Sequence, residues 1–569
     1  MNLYKYFPIR DILRNYNKKD FTCDLIAGLA TSLLIIPNAM AAAMLANLPP
    51  QMGLYSAIIP LIVYSIMGSS RHVSIAPSSV ICLLIASSFT DMGLPLNQYI
   101  ECAVLLSFIS GAMLFFMGLL KAGFIENLLS NTVVRGFVAA AAIMIAVSQL
   151  KNFTGIELHD HPTIFGTIYE LLLRFKDINI MTVIIGIISI GIIYFIRKIT
   201  KLFPGSLGAI IAGITAVYFL ELSSKGVAVV GSMAGGLPSF QFNDLILILG
   251  QERADLKYLF NIGIAITIIS FVQSISLAKS IAAKTGQTVD ANQELLALGS
   301  ASIACSLFHT FPASGSVAGT ASNYDAEGKS NVSSFISSVI IGIIILFFLP
   351  LLCHIPKACL AAVLIVTVAG LIDIKSYRHI FKSSKSDAFI LVITFFVTLL
   401  FGVDMGIGTG IVLSIVLYLW RTALPNVMPL GRREGENGQY IYRTVKRLDE
   451  DIPLDTFSGI LILRIDASLY FLNIKHVQIK ITSLVYEGTD IKHIILDGEG
   501  INHIDYAAEE GLRKLIEDLK INKCNFYFAL LKSSVKEFFK NSGFIEFLGE
   551  DRFFEKIEDA VKGINKFRV

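Results

Sequence analysis

Two short stretches carry the residue types that hold an anion inside an apolar chain. They are Ser74-Ile75-Ala76-Pro77-Ser78-Ser79 and Phe311-Pro312-Ala313-Ser314-Gly315-Ser316, the second continuing through Ala318, Gly319 and Thr320. Each is a Pro- and Ser-rich extended run that leads into an apolar segment, Pro77–Phe89 in one case and Gly315–Ser322 in the other. Both segments are too short to cross a hydrocarbon core of about 30 Å, which takes roughly 20 helical residues. At a helix start, unpaired backbone N–H groups and the positive end of the helix dipole point outward, and in a low dielectric both favour an anion. Two such starts meeting from opposite faces, near Ser78 and Ser79 and near Ser316 to Thr320, would bind a small anion without a buried Lys or Arg. The alternative is a pair of Pro-kinked continuous helices.

Other polar groups suggest less. Glu157, His159, Asp160 and His161 form a metal-like cluster, but with no second ligand set they read as an outer loop. His72 and His309 flank the interrupted segments, where they would gate, sense pH or simply hydrogen-bond the loop ends. The seven cysteines include no CxxC pair or other metal spacing and read as small apolar fillers. No paired carboxylates and no Ser/His/Asp set converge on the apolar part, so no enzyme, metal site or cofactor is expected.

The elements that position these residues follow from composition. Of 569 residues, 54% are hydrophobic and 16% charged, against roughly 25% charged in a soluble domain. That leaves too few charges to solvate a soluble surface and excludes a cytosolic enzyme, a nucleic-acid binder and a disordered hub. Apolar runs recur from about Leu25 to Trp420, about seven on either side of a polar stretch from Glu221 to Lys257. With the basic N-terminus inside, alternate loops place Arg71, Lys121, Arg135, Arg197, Lys279, Lys375, Arg378, Lys382, Lys385 and Arg421 inside as well. Both termini are therefore expected in the cytoplasm, and the membrane is expected to be the plasma or inner membrane. Lys121, Arg135 and the run from Lys375 to Lys385 read first as topology determinants and second as contacts for anionic lipid. The two interrupted segments are third in their halves, the pattern of an inverted-repeat transporter with a midplane site.

Past Trp420 the chain turns soluble: a polar, Gly-rich linker, strands at Ile460–Ile465, His493–Leu496 and Phe526–Leu530, and a helix at Ala507–Lys520. The expected division is a cytoplasmic segment over 1–20, a transmembrane domain over 21–422, a linker over 423–440 and a small α/β domain over 441–569.

Nearly the whole length resembles the sulfate permease (SulP) family of anion transporters. The resemblance rests on Ile36-Pro37-Asn38-Ala39-Met40-Ala41, Leu48-Pro49-Pro50-Gln51-Met52-Gly53, Gly68-Ser69-Ser70-Arg71-His72-Val73, Asp290-Ala291-Asn292-Gln293-Glu294, and the Phe311 to Asn323 stretch. It implies a polytopic α-helical fold of fourteen segments in a 7+7 inverted repeat. The core and gate would be uracil-transporter-like and move as an elevator, the chain would form homodimers, and the C-terminal α/β part would be a STAS domain. The site residues it implies are Asn38, Ala42, Ser78, Ser79, Ser316, Ala318, Gly319 and Thr320. Family members often have Gln where Asn38 stands, aromatics at Ala42 and Ser78, and Arg at Gly319, so a roomier, more hydroxyl-lined cavity is expected, suited to an oxyanion. Proton- or sodium-linked members carry a carboxylate where this chain has Gln273, which cannot titrate. The expected function is secondary transport of a small oxyanion, sulfate first and bicarbonate or a dicarboxylate next. An uncoupled exchanger or channel is the alternative; beyond a possible coupling ion, membrane lipids and a second copy, no partner is expected.

Overall fold

The computed structural model describes residues 7–14, 16–89, 92–128, 130–156, 158, 164–200, 203–233, 235–243, 245–246, 256–434, 440–444, 457–487 and 490–566. The chain divides into two compact units, Met1–Ser414 and Ile415–Val569.

The first half of the membrane unit runs α1 (Lys18–Leu45), α2 (Pro50–Met67), β1 (Ile75–Ala76), α3 (Ser79–Phe89), α4 (Leu96–Leu119), α5 (Asn131–Ser148), α6 (Ile180–Ile199) and α7 (Gly205–Phe219). The second half repeats that order with α8 (Leu256–Thr285), α9 (Ala291–Leu307), β2 (Ser314–Gly315), α10 (Val317–Asp325), α11 (Val332–Leu352), α12 (Lys357–Ala369), α13 (Lys385–Phe401) and α14 (Val403–Ala423). Among the described residues nine helices are long and apolar enough to cross a membrane. With 11 and 9 residues, α3 and α10 are not; they rise only roughly 16 and 14 Å.

The start of α1 is set locally. The Asn17 side chain accepts from the amides of Lys19 and Asp20 at 2.9 Å, and Asp20 accepts from the Asn17 amide in return.

Packing repeats with the halves exchanged. The α1–α11 contact has its counterpart in α8–α4, α2–α11 in α9–α4, and α5–α13 in α12–α6. That exchange is what an inverted repeat requires. Two fully buried carboxylates fix the segments around the half-helices. Asp24 accepts from the amides of Lys329 and Ser330 and from the Tyr16 hydroxyl, which holds the turn after α10. Glu294 accepts from the Tyr64 hydroxyl at 2.8 Å, the Ser69 amide and hydroxyl at 2.9 and 2.7 Å, and the Ser70 amide at 3.1 Å, which holds the turn before β1.

Helices at Leu150–Thr154, Ile164–Leu173 and Ile374–Ser383 are among those that arise between the expected apolar segments.

In the second unit a six-stranded sheet has the order β4-β3-β5-β6-β7-β8, built from β3 (Val427–Glu434), β4 (Tyr440–Thr444), β5 (Ile460–Ile465), β6 (His493–Asp497), β7 (Asn525–Ala529) and β8 (Phe553–Phe554). Strands β5 to β8 are parallel, and β3 is antiparallel to both of its neighbours. Alternate residues serve two cores, because side chains point to opposite faces with period 2. Leu463, Ile465, Ile494, Leu496, Phe526 and Phe528 pack with α15 (Ile474–Glu487), α16 (Tyr506–Ile521) and α17 (Ser533–Asn541). Ile460, Ile462, Ile495 and Tyr527 pack with α18 (Ile557–Lys566).

The linker expected over 423–440 contains strand β3, which takes eight of its eighteen residues. Pro429 and Gly431 read as strand breakers, yet β3 pairs with β5 over Val427–Pro429 and with β4 over Leu430–Glu434. Pro429 therefore has a neighbour on one side only and needs no second ladder donor. Asp505 caps α16, accepting from the amides of Ala508 and Phe471 at 2.8 and 2.9 Å, and Tyr506 beside it is 71% exposed.

Candidate functional site

Strands β1 and β2 pair antiparallel, Ile75 opposite Gly315 and Ala76 opposite Ser314, and the Ser316 amide extends the ladder by donating to the Ser74 carbonyl at 2.8 Å. Each strand runs straight into its helix, so the antiparallel pairing sets the starts of α3 and α10 against one gap from opposite sides. In α3 the first backbone bond runs from the Cys82 amide to the Ser78 carbonyl. The amides of Ser79, Val80 and Ile81 thus lie ahead of the helical ladder. In α10 the Thr320 amide donates to the Ser316 carbonyl, and the Gly319 amide is capped by the Ser316 hydroxyl oxygen at 3.1 Å. The Val317 and Ala318 amides remain at the mouth.

Gln273 of α8 joins the two starts. Its amide nitrogen donates to the Gly315 carbonyl at 3.1 Å; its amide oxygen accepts the Ser78 hydroxyl at 3.0 Å and faces the Ser314 hydroxyl at 3.5 Å. The orientation is dictated chemically: a backbone carbonyl only accepts, so the nitrogen must face Gly315. The next residue, Ser274, accepts the Gly315 amide at 2.8 Å. Gly315 itself has no room for a side chain, since a Cβ there would stand 2.9 Å from the Ser274 Cα.

The other expected site residues divide. Thr320 is buried and accepts the Ser74 amide at 3.1 Å, and Ser79 and Ala318 are half-buried at their helix starts. The Asn38 amide turns to its own helix and to α12, donating to the Leu34 carbonyl at 2.9 Å and accepting the Thr367 hydroxyl at 3.2 Å. Ala42, one turn further along α1, is buried in the main core. At Gly319 a Cβ would meet Ile35 and Ser74 at 3.1 Å and Ser316 at 3.2 Å, so this small residue makes room for α1 and β1 and adds nothing to a cavity.

The expected hydroxyl-lined cavity is corrected. A cavity of about 230 Å³ lies beside the two starts, touching Val80 of α3, Val317 of α10, Phe137 and Val138 of α5, and Gln273 and Ser276 of α8. Apart from Gln273 and Ser276 its walls are apolar, and Ser78, Ser316 and Thr320 are not among the residues that line it.

His72 packs edge-on against Tyr324 at 5.8 Å, and burial lowers its pKa from the usual histidine value. His309 ends α9 with a left-handed φ of 54°. Glu157, His159, Asp160, His161 and the side chain of Asp404 lie outside the described residues. Asp24 escaped the sequence reading, and Glu294 entered it only as part of a motif. An acidic residue directly before an apolar run, at Leu25 and at Leu295, was the available signal for both.

A polytopic helical protein with two facing half-helix starts in an inverted repeat, followed by a separate α/β unit, belongs to the transporter class of membrane proteins. The comparisons narrow this. The sulfate permease family pattern is matched by residues 21–394 and that of the STAS domain by residues 451–560. The chain belongs to the sulfate permease family and ends in a STAS domain. Sulfate transporter 4.1, chloroplastic, of Arabidopsis thaliana is 31% identical over 98% of this chain and 82% of its own length. Among solved structures, the murine Solute Carrier 26 family member A9 anion transporter in the inward-facing state has a TM-score of 0.89 at 21% identity, covering 99% of this chain and 94% of that one. The transmembrane domain of a cyanobacterial bicarbonate transporter has a TM-score of 0.60 at 19% identity, covering 70% of this chain and 98% of that domain.

Proposed function

We propose that this protein is a secondary transporter for a small oxyanion, sulfate first, and that it holds the anion between the starts of α3 and α10. The observation that carries the reading is the pair of helix starts joined by Gln273, with amides at the mouth and no titratable side chain among the residues that build it. The amides of Ser79, Val80, Val317 and Ala318 would donate to the anion. Ser316 accepts from Gly319 through its oxygen and keeps its own O–H for a ligand. Donation by oriented neutral dipoles stabilises an oxyanion without the cost of burying a Lys or Arg. The relatives named as sulfate transporters favour sulfate over bicarbonate and dicarboxylates.

In this reading the half-helices move together with α8 as an elevator against the helices lining the far side of the cavity, in a homodimer of the plasma or inner membrane with both termini cytoplasmic. The neutral amide at position 273 favours anion exchange or downhill movement over cation-driven uptake. The test is uptake of labelled sulfate, bicarbonate and fumarate into proteoliposomes under imposed proton, sodium and chloride gradients. Sulfate uptake with little response to proton or sodium supports the reading, and transport of none of the three anions removes it.

The STAS domain is proposed to regulate or assemble the transporter without touching the anion, since it has a core of its own on each face of its sheet. Truncation after Leu430 should lower abundance or maximal rate and leave the rank order of anions intact. An altered rank order measured on the truncated protein would place the domain in substrate selection. Tyr506 stands where the family commonly has a phosphorylatable Ser or Thr. No Ser-kinase switch is expected there, and mass spectrometry of the purified protein for phosphate on the Asp505–Tyr506 peptide checks it.

A further inference from the structure

Between α12 and α13 lies the ten-residue helix Ile374–Ser383, none of whose residues is buried. Wound at 3.6 residues per turn, Lys375, Arg378, His379 and Lys382 fall within one arc of about 100°, and Ile374, Tyr377, Ile380 and Phe381 within an opposing arc of about 120°. Part of the apolar arc is uncovered by protein: Ile374 is 67% and Phe381 52% exposed, while Tyr377 and Ile380 are half-buried. On the basic arc, Lys375, Arg378 and Lys382, with Lys385 just beyond, make no ion pair among the described residues.

The helix is nevertheless held in place. Asp373 caps it by accepting the Ser376 amide at 3.2 Å and pairs with Arg135 at 3.7 Å, and the Tyr377 hydroxyl donates to the Arg135 carbonyl at 3.5 Å. It therefore sits against the start of α5, at the ends of two neighbouring helices of the membrane unit. In a membrane-spanning unit, such helix ends are where lipid headgroups would be met.

We infer that this helix lies in the membrane interface and binds anionic lipid headgroups of the leaflet on its own side. An interfacial helix is recognised by segregated apolar and Lys/Arg-rich faces with low overall hydrophobicity. Charge complementarity selects the occupant, because several unpaired cations beside an exposed Ile and Phe fit an anionic leaflet, where the apolar face enters the acyl region and the cations meet phosphates. The helix Ile164–Leu173 is the internal contrast. It too exposes Phe165, Tyr169, Leu172 and Leu173, but it has no Lys or Arg and one Glu, so it offers a leaflet apolar contact alone. The inference stands apart from the identity of the transported anion.

The test uses the full-length protein. Native mass spectrometry after titration with phosphatidylglycerol or phosphatidylcholine compares the unmodified chain with the triple variant Lys375→Gln, Arg378→Gln, Lys382→Gln. Each basic residue near a leaflet contributes about a five-fold change in association. Loss of at least about ten-fold of phosphatidylglycerol retention, with phosphatidylcholine retention unchanged, is expected. Equal phosphatidylglycerol retention by both proteins would overturn the inference. In parallel, a spin label on Phe381→Cys in vesicles containing phosphatidylglycerol should be reached by oxygen and shielded from a water-soluble nickel reagent. A label open to nickel would assign this face to a soluble partner and also overturn the inference. Monodisperse gel filtration of both variants separates these outcomes from misfolding.

Discussion

Gln273→Glu should convert transport from pH-independent to pH-dependent, with uptake present at low pH and lost as pH rises. At position 273 the group facing Gly315 must donate, and the amide nitrogen does so at 3.1 Å. A protonated carboxyl can replace it, giving its O–H to the Gly315 carbonyl while its other oxygen accepts from Ser78. An ionised carboxylate has no hydrogen, so it sets lone pairs against the Gly315 carbonyl and a negative charge beside the proposed anion site. Leaving one buried acceptor unsatisfied costs about 1–3 kcal/mol, or roughly one to two decades in uptake, before the added charge is counted. The sign follows from the neutral form being competent: protonation restores the tie, and deprotonation breaks it. Gln273→Met is the companion variant, since it removes the hydrogen bonds without adding a charge and should lower uptake at every pH. Initial rates in proteoliposomes across a pH series decide the matter. Strong proton- or sodium-driven accumulation by the unmodified protein, unaffected by Gln273→Glu, would move coupling to another group, with His309 and Asp404 as the candidates.

Gly315→Ala should reduce uptake about 100-fold in protein that still reaches the membrane. The added Cβ would lie 2.9 Å from the Ser274 Cα and 3.1 Å from both the Ser274 hydroxyl oxygen and Leu277. Backbone cannot rotate aside as a side-chain tip can, so β2 must move away from α8. That movement stretches the 2.8 Å bond from the Gly315 amide to Ser274 and the 3.1 Å bond from Gln273 to the Gly315 carbonyl. Overpacking of this kind costs about 1–3 kcal/mol, and each weakened hydrogen bond adds about 1 kcal/mol. Gly319→Ala is the control, because its new Cβ would meet the side-chain tip of Ile35 and the Cβ of Ser74 at 3.1 Å, and Ile35 can yield. A smaller loss is expected there. Uptake by Gly315→Ala within two-fold of the unmodified protein would show that the close approach of β2 to α8 does not hold the site.

Much of the architecture was legible before any coordinates. Length and apolarity mark out the spans, and a Pro/Ser-rich run followed by too few apolar residues marks each half-helix. Short apolar runs of strand length mark β5, β6 and β7 of the STAS domain. The strand β3 was not legible, because Pro429 and Gly431 suit a linker equally well and only the staggered pairing on its two sides makes them tolerable. The lining of the cavity was not legible for a similar reason: the hydroxyls at positions 78, 316 and 320 were visible as residue types, but not that they would stand outside its walls.

The sequence by itself therefore determined the order of elements, the two interrupted segments and the absence of a titratable group at position 273. These are matters of composition and local periodicity, which a chain expresses without reference to distant residues. Tertiary structure alone decided that Gln273 ties both starts together, that Asn38 turns to α12 and that Gly319 yields its space to α1 and β1. The hydrogen bond between Ser78 and Gln273 spans 195 residues and that between Asn38 and Thr367 spans 329. Such bonds depend on how the two halves pair, and an amide or a hydroxyl has no sequence signature for the partner it will find.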